Sequence, residues 1–181
     1  MEFIDNDFGG ILFSEERIKK RVGELGAQIT SDYSGRSPLL VGVLKGCFIF
    51  LADLARCIGL NCEIRFLSAS SYGNATVASG NVRIERFPDF EIAGRDVIVV
   101  EDILDTGATL AALLELLAGF GPSSLKLCAM LDKPTCRKVP ITADYLGFEC
   151  PDEFLVGYGL DYAERYRNLP YIASLKPEIY T

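Results

Sequence analysis

Residues Val97-Ile98-Val99-Val100 are β-branched and apolar at every position. A strand with one wet face alternates polar and apolar residues, because successive side chains point to opposite faces. A strand without that alternation needs cover on both faces, and a parallel sheet with helices on each side supplies it. This tetrapeptide therefore predicts the centre of an α/β sheet. Leu39 to Leu44 is a second unbroken apolar run, and about Leu125 to Leu131 and Ala143 to Phe148 read as further strands. Cys62, Ile64 and Phe66 alternate with Glu63 and Arg65, as in a strand with one wetter face. Between the strands lie helical segments. Ser14 caps the first, with Glu15 and Glu16 in its opening turn and Ile18, Val22, Leu25 and Ile29 on one face. A second runs from roughly Cys47 to Ile58, and an Ala/Leu-rich third ends near Gly119. Strand, helix, strand in succession implies right-handed crossovers. The expected fold is one α/β domain over residues 1–181, a mostly parallel sheet flanked by helices.

The chain of 181 residues contains no histidine. That excludes Ser-His-Asp and Cys-His catalysis and any zinc site built on imidazole. Acid or base chemistry must come from Asp, Glu, Lys, Tyr or Cys. Six cysteines occur with no C-x-x-C pair, which argues against zinc ribbons and thioredoxin-like redox motifs. Cys47, Cys57, Cys62 and Cys128 sit in apolar runs and are expected to be reduced thiols packed as small hydrophobes. The net charge of −7 disfavours a broad basic footprint for nucleic acid or an anionic membrane. Met1-Glu2-Phe3-Ile4-Asp5 lacks the basic start of a signal peptide, and the longest apolar stretch, Leu39 to Ala55, is broken by Lys45 and Asp53. A soluble, cytoplasmic protein is expected.

The chemistry concentrates where the central strand ends. Glu101 and Asp102 come directly after Val100, and ligands of open α/β sheets bind at the carboxyl ends of strands. Asp105-Thr106-Gly107-Ala108-Thr109 then turns into a helix. Free amides at a helix start, two hydroxyls and a glycine that permits close approach form a cradle for phosphate. The acidic pair would repel a bare phosphate, so it suits ribose hydroxyls or Mg²⁺. Helix capping by Asp105 or Thr106 is the plainer alternative for a D-T-G alone. Adjacent strand residues face opposite ways, so both carboxylates reach one ligand only if the strand ends at that point. Ser70 to Asn81 is uncharged and rich in Ser, Gly and Asn, the composition of a long loop over a site.

The stretch VIVVEDILDTGATL resembles the phosphoribosyl diphosphate (PRPP) signature of the type I phosphoribosyltransferases, and within them the hypoxanthine-guanine branch. The likeness extends over most of the chain. The resemblance implies that Asp105, Thr106, Gly107, Ala108 and Thr109 hold the 5′-phosphate, with Asp105 as catalytic base, and that Glu101 and Asp102 hold the ribose. Leu44-Lys45-Gly46 resembles the diphosphate-binding turn, which in the family contains a non-proline cis peptide, and Arg167 would join it. Ser71 and Tyr72 match the start of the flexible lid. Lys133, within Leu131-Asp132-Lys133-Pro134, would donate to the purine 6-oxo group; without the resemblance it reads as a loop ion pair. Phe154, core by default, would stack on the base, and the backbone of Leu155 would meet its edge. Asp161 would hold the second Mg²⁺ and line the purine site, with Glu101 and Asp102 as further metal candidates. Residues of about 1–12 and 145–181 would form a hood over the base site. Ala108 and Glu153 depart from residues found in some relatives.

The activity that the resemblance implies is purine salvage: Mg²⁺-dependent transfer of phosphoribose from PRPP to N9 of hypoxanthine or guanine. The small molecules PRPP and a 6-oxopurine are the implied partners, together with a second copy in a homodimer or homotetramer. A non-catalytic PRPP-sensing regulator on the same fold is the competing reading, because fold alone does not separate the two.

Overall fold

The computed structural model of the chain describes residues 5–70, 83–84 and 91–181. Elements run in the order β1 (Phe8–Phe13), α1 (Glu15–Asp32), β2 (Leu39–Leu44), α2 (Phe48–Cys57), β3 (Glu63–Ser70), β4 (Arg83–Ile84) and β5 (Asp96–Leu104). Next come α3 (Ala108–Ala118), β6 (Ser124–Asp132), β7 (Tyr145–Glu149), β8 (Leu155–Val156), β9 (Ile172–Leu175) and α4 (Pro177–Tyr180). The main sheet has the order β4-β3-β2-β5-β6-β7. Its five strands from β3 to β7 pair in parallel, and the short β4 adds antiparallel to the edge.

The unbroken apolar character of β5 is used as expected. Ile98 and Val100 pack into one core with Ile18, Val22, Leu25 and Ile29 of α1 and Phe50, Leu51 and Leu54 of α2. Val97 and Val99 face the other way, into a core closed by Leu110, Leu113 and Leu117 of α3. Ser14 caps α1, its hydroxyl accepting from the Arg17 N–H at 3.4 Å.

β3 behaves differently from its sequence pattern. Ile64 and Phe66 lie on the face predicted to be buried, yet they remain 39% and 45% exposed. Among the described residues little covers that end of the sheet, so the apolar face of β3 stays open. Cys57 is likewise exposed, although Cys47 and Cys128 are buried as free thiols.

A second, three-stranded antiparallel sheet of order β1-β9-β8 stands beside the first. β7 belongs to the main sheet, because its Tyr145, Leu146, Phe148 and Glu149 pair with β6, so the small sheet begins only at β8. Its Leu155 and Ile172 enter the same core as α1 and α2. Tyr158 donates to Asp53 of α2 at 2.7 Å and pins this region to the main body. Among the described residues, no helix is long and apolar enough to cross a membrane.

Candidate active site

β2 has β3 on one side and β5 on the other, so the chain reverses direction across the sheet between β2 and β5. Turns leaving the carboxyl ends of two such strands diverge and open a crevice. A cavity of about 500 Å³ occupies that place. The turn after β2 (Leu44, Lys45, Gly46), the acidic pair, the loop residues Asp105, Thr106, Gly107 and Thr109, and Asp161 with Arg167 from beyond β8 all line it. Lining Val43, Ile103 and Leu110 went unrecognised in the sequence, where they read as ordinary strand and helix residues.

Glu101 does not end the strand, which corrects the expectation drawn from its sequence. β5 continues to Leu104, paired throughout with β6 as far as Asp132. Its pairing with β2, however, stops at Val100 opposite Gly42. Beyond that pair the two strands part, and the gap admits both carboxylates. Asp102 also accepts from the Ile103 N–H at 2.8 Å. Burial raises the pKa of Glu101 and of Asp102, and the neighbouring carboxylate raises Glu101 further. Two carboxylates held this way suit a cation or a pair of ribose hydroxyls, either of which relieves the repulsion.

The Asp105–Thr109 loop is shaped by Gly107. Its φ of +79° lies in the left-handed region, and a Cβ there would meet Ile141 Cγ2 at 2.5 Å, so glycine is required for conformation and for space. α3 starts at the next residue, Ala108, so the amides of its first turn have no partner within the helix. Thr106 Oγ1 accepts from the Ala108 N–H at 3.4 Å.

The opposite wall is basic. The Leu44–Lys45 peptide is cis. Lys45 reaches Glu164 at 3.0 Å, and Arg167 pairs with Asp161 at 2.8 Å and with Glu164 at 3.4 Å. Glu164 was not legible as a site residue; it lies three residues beyond Asp161 in an exposed turn. Among the described residues, the Nε atom of Arg167 is buried without a hydrogen-bond partner. An unsatisfied charged donor beside a cavity is the feature an anion would complete.

Lys133, Phe154 and Leu155 lie away from this cavity's lining, toward the small sheet. Lys133 is 9% exposed and donates to Glu153 O at 2.7 Å, with Asp152 at 3.8 Å. Its neighbour Asp132 pairs instead with Arg137. Phe154 is half-buried, stacked on Tyr180 with ring centroids 4.9 Å apart and edge-on to Tyr162 at 5.4 Å. Leu155 is buried with its side chain in the core, and its backbone pairs with β9 opposite Ser174. Ser71 and Tyr72 lie outside the described residues.

Fold, crevice and loop together define an α/β protein with a polar crevice at the switch point of a parallel sheet, where the Asp105–Thr109 loop opens a helix. The chain belongs to the phosphoribosyltransferases: the phosphoribosyl transferase domain matches residues 10–163. It is 53% identical over 175 residues to the hypoxanthine-guanine phosphoribosyltransferase of Bacillus subtilis, covering 97% of both chains. It is also 51% identical over 180 residues to the bifunctional protein TilS/HprT of Listeria monocytogenes, of whose length it spans 28%. A crystal structure of hypoxanthine phosphoribosyltransferase from Staphylococcus aureus superposes with a TM-score of 0.93 at 47% identity, over 97% of this chain and 96% of that one.

Proposed function

We propose that this chain transfers the 5-phosphoribosyl group of PRPP to N9 of hypoxanthine or guanine, releasing diphosphate and forming IMP or GMP in purine salvage. The observation that carries this reading is the pairing, across one crevice, of the Asp105–Thr109 loop with the basic wall of Lys45 and Arg167. A 5′-phosphate on the first and a diphosphate on the second leave the anomeric carbon between them, over Glu101 and Asp102. Binding energy from both phosphate ends thereby positions the reacting carbon. Asp105 takes a purine ring proton as N9 attacks. Lys133, fixed on the Glu153 carbonyl, offers its remaining N–H donors to the 6-oxo group. Phe154 supplies the stacking face for the base.

The donor set fits Mg²⁺. Among the described residues no cluster of three or more ligands forms a dedicated metal cage. Mg²⁺ ordinarily binds through one or two carboxylates plus substrate phosphates. Glu101 and Asp102 would hold it on the ribose side and Asp161 on the diphosphate side. When bound, Mg²⁺ supplies charge neutralisation to the leaving diphosphate.

The open apolar face of Ile64 and Phe66, with Phe48 43% exposed at the start of α2, supports a homodimer or homotetramer. A cytoplasmic location and the absence of a nucleic-acid partner accord with the acidic net charge and the free thiols.

The test is diphosphate release by purified protein supplied with PRPP, Mg²⁺ and each purine in turn. Turnover is expected with hypoxanthine and guanine. PRPP binding without turnover refutes the enzymatic reading and favours a PRPP sensor.

A further inference from the structure

Three consecutive carbonyls leading into the phosphate loop are held by the segment that begins at Lys133. Leu104 O accepts from the Lys133 N–H at 3.0 Å, and Thr106 O accepts from the Lys138 N–H at 2.9 Å. Between them, Asp105 O accepts from the Arg137 guanidinium. Arg137 also donates to the Asp132 carboxylate at the end of β6, and both side chains are 14% exposed. The same segment leaves no slack beneath the loop, since a Cβ on Gly107 would lie 3.1 Å from Val139 Cγ2 and 3.2 Å from Arg137 Cδ. Two of the three carbonyls are therefore held by main chain. The middle one, on the residue assigned as base, depends on a side chain.

We propose that Arg137 is a positioning residue for the transfer reaction: its guanidinium, anchored by Asp132, clamps the main chain of Asp105 and joins the phosphate loop to the purine-side segment carrying Lys133. The proposal rests on the reading of Asp105–Thr109 as the phosphate loop and of Asp105 as the base. The residue type matters. A planar guanidinium offers donors in a fixed fork that reaches a carboxylate and a carbonyl together, whereas a compact ammonium on a flexible stem does not hold that geometry. No sequence motif marks Arg137; only its place four residues after Lys133 connects it with the site.

Removing Arg137 alone leaves Asp132 buried without its partner, which mixes stability with function. The decisive variant therefore replaces both, Arg137→Met with Asp132→Leu, because two matched apolar groups remove the pair without stranding a charge. Steady-state kinetics and thermal unfolding are measured on the full chain for this variant, for Arg137→Lys and for Asp105→Asn. A displaced reacting group costs on the order of 10²-fold per ångström. The double variant is expected to lose about 10–10²-fold in kcat, with KM for hypoxanthine changed by less than about threefold. Arg137→Lys falls between it and the parent. A folded double variant whose kcat stays within about threefold of the parent, while Asp105→Asn is impaired, overturns the clamp and leaves the reading of the site intact. Parental turnover in Asp105→Asn overturns that reading itself. Should the double variant fail to fold, Arg137→Lys decides: it keeps Asp132 neutralised, so reduced kcat supports the clamp and parental kcat overturns it.

Discussion

Replacing Gly46 with alanine isolates the contact between the Leu44–Gly46 turn and the acidic pair. An ideal Cβ on Gly46 would lie 1.6 Å from Asp102 Oδ2 and 2.5 Å from its Cγ. Gly46 does not take a positive φ, so the glycine is needed for space and not for backbone freedom. Ordinary contact begins near 3.4 Å, so one side must retreat by about 1.8 Å. Neither side is free to do so. The Asp102 carboxylate is tied to the Ile103 N–H at 2.8 Å, and from the other flank Gly159 crowds Gly46 O, where a Cβ would come within 2.0 Å. Overpacking of this kind costs about 1–3 kcal/mol, and a displacement of the reacting groups by 1 Å costs on the order of 10²-fold in rate. Gly46→Ala should therefore lower kcat/KM for PRPP about 10²-fold and lower Tm by roughly 3–10 °C for a domain of this size. Diphosphate release and circular-dichroism melting measure the two. Gly10→Ala is the control, since a Cβ there meets nothing within 4 Å. Parental kcat/KM and an unchanged Tm in Gly46→Ala would refute the clamped geometry.

If Asp105 is the base, as proposed, Asp105→Asn keeps the loop amides but removes it, so turnover should fall about 10²–10⁴-fold while PRPP still binds; calorimetry alongside the kinetic assay checks both halves. Lys133 offers only donors, so kcat/KM for adenine should lie at least about 10²-fold below that for the better oxopurine. Lys133→Gln should narrow the gap, and competition among the three bases at fixed PRPP reads it. Glu164 pairs with both Lys45 and Arg167, so Glu164→Gln should free Lys45, leave Arg167 on Asp161 alone, and lower KM for PRPP about two- to fivefold, the scale of exposed ion pairs. An unchanged or higher KM would sink that idea. Stability should also fall in alkali. Burial raises the Cys150 thiol to about 11, and burial with the Asp53 hydrogen bond raises the Tyr158 hydroxyl. Groups whose folded pKa is raised give their full stabilisation below the unfolded pKa and lose it as pH climbs through the folded one. Tm should then hold from pH 7 to about 8.5 and drop between about 9 and 11; a flat profile to pH 11 would contradict it.

The layered fold was legible because it obeys local rules. β5 is apolar on both faces and is covered on both; α1 shows its cap, its acidic first turn and its buried stripe in the sequence itself. The Asp105–Thr109 turn was legible for the same reason, since its parts are contiguous and its glycine is demanded by a left-handed φ. Reading β3 by alternation alone failed at Ile64 and Phe66, because periodicity says which face is apolar and not whether anything lies against it. The strand end at Glu101 was misplaced because β5 stays paired with β6 after it leaves β2, a difference between two neighbours that one strand's sequence does not carry.

Residue type and order along the chain thus sufficed for the sheet, the helices, the exclusion of imidazole chemistry by the lack of histidine, and the Asp105–Thr109 turn at the head of α3. Everything that depends on distant segments meeting had to come from the folded chain. Glu164 reaches Lys45 across 119 positions, and Arg137 reaches back 32 positions to the Asp105 carbonyl. The physical reason is that such contacts are set by how strands β2, β5 and β6 splay and by where the turns leaving them run. Hydrophobic periodicity places an element on a face of the sheet, but the position of one polar atom against another depends on angles and offsets that only the packed whole defines.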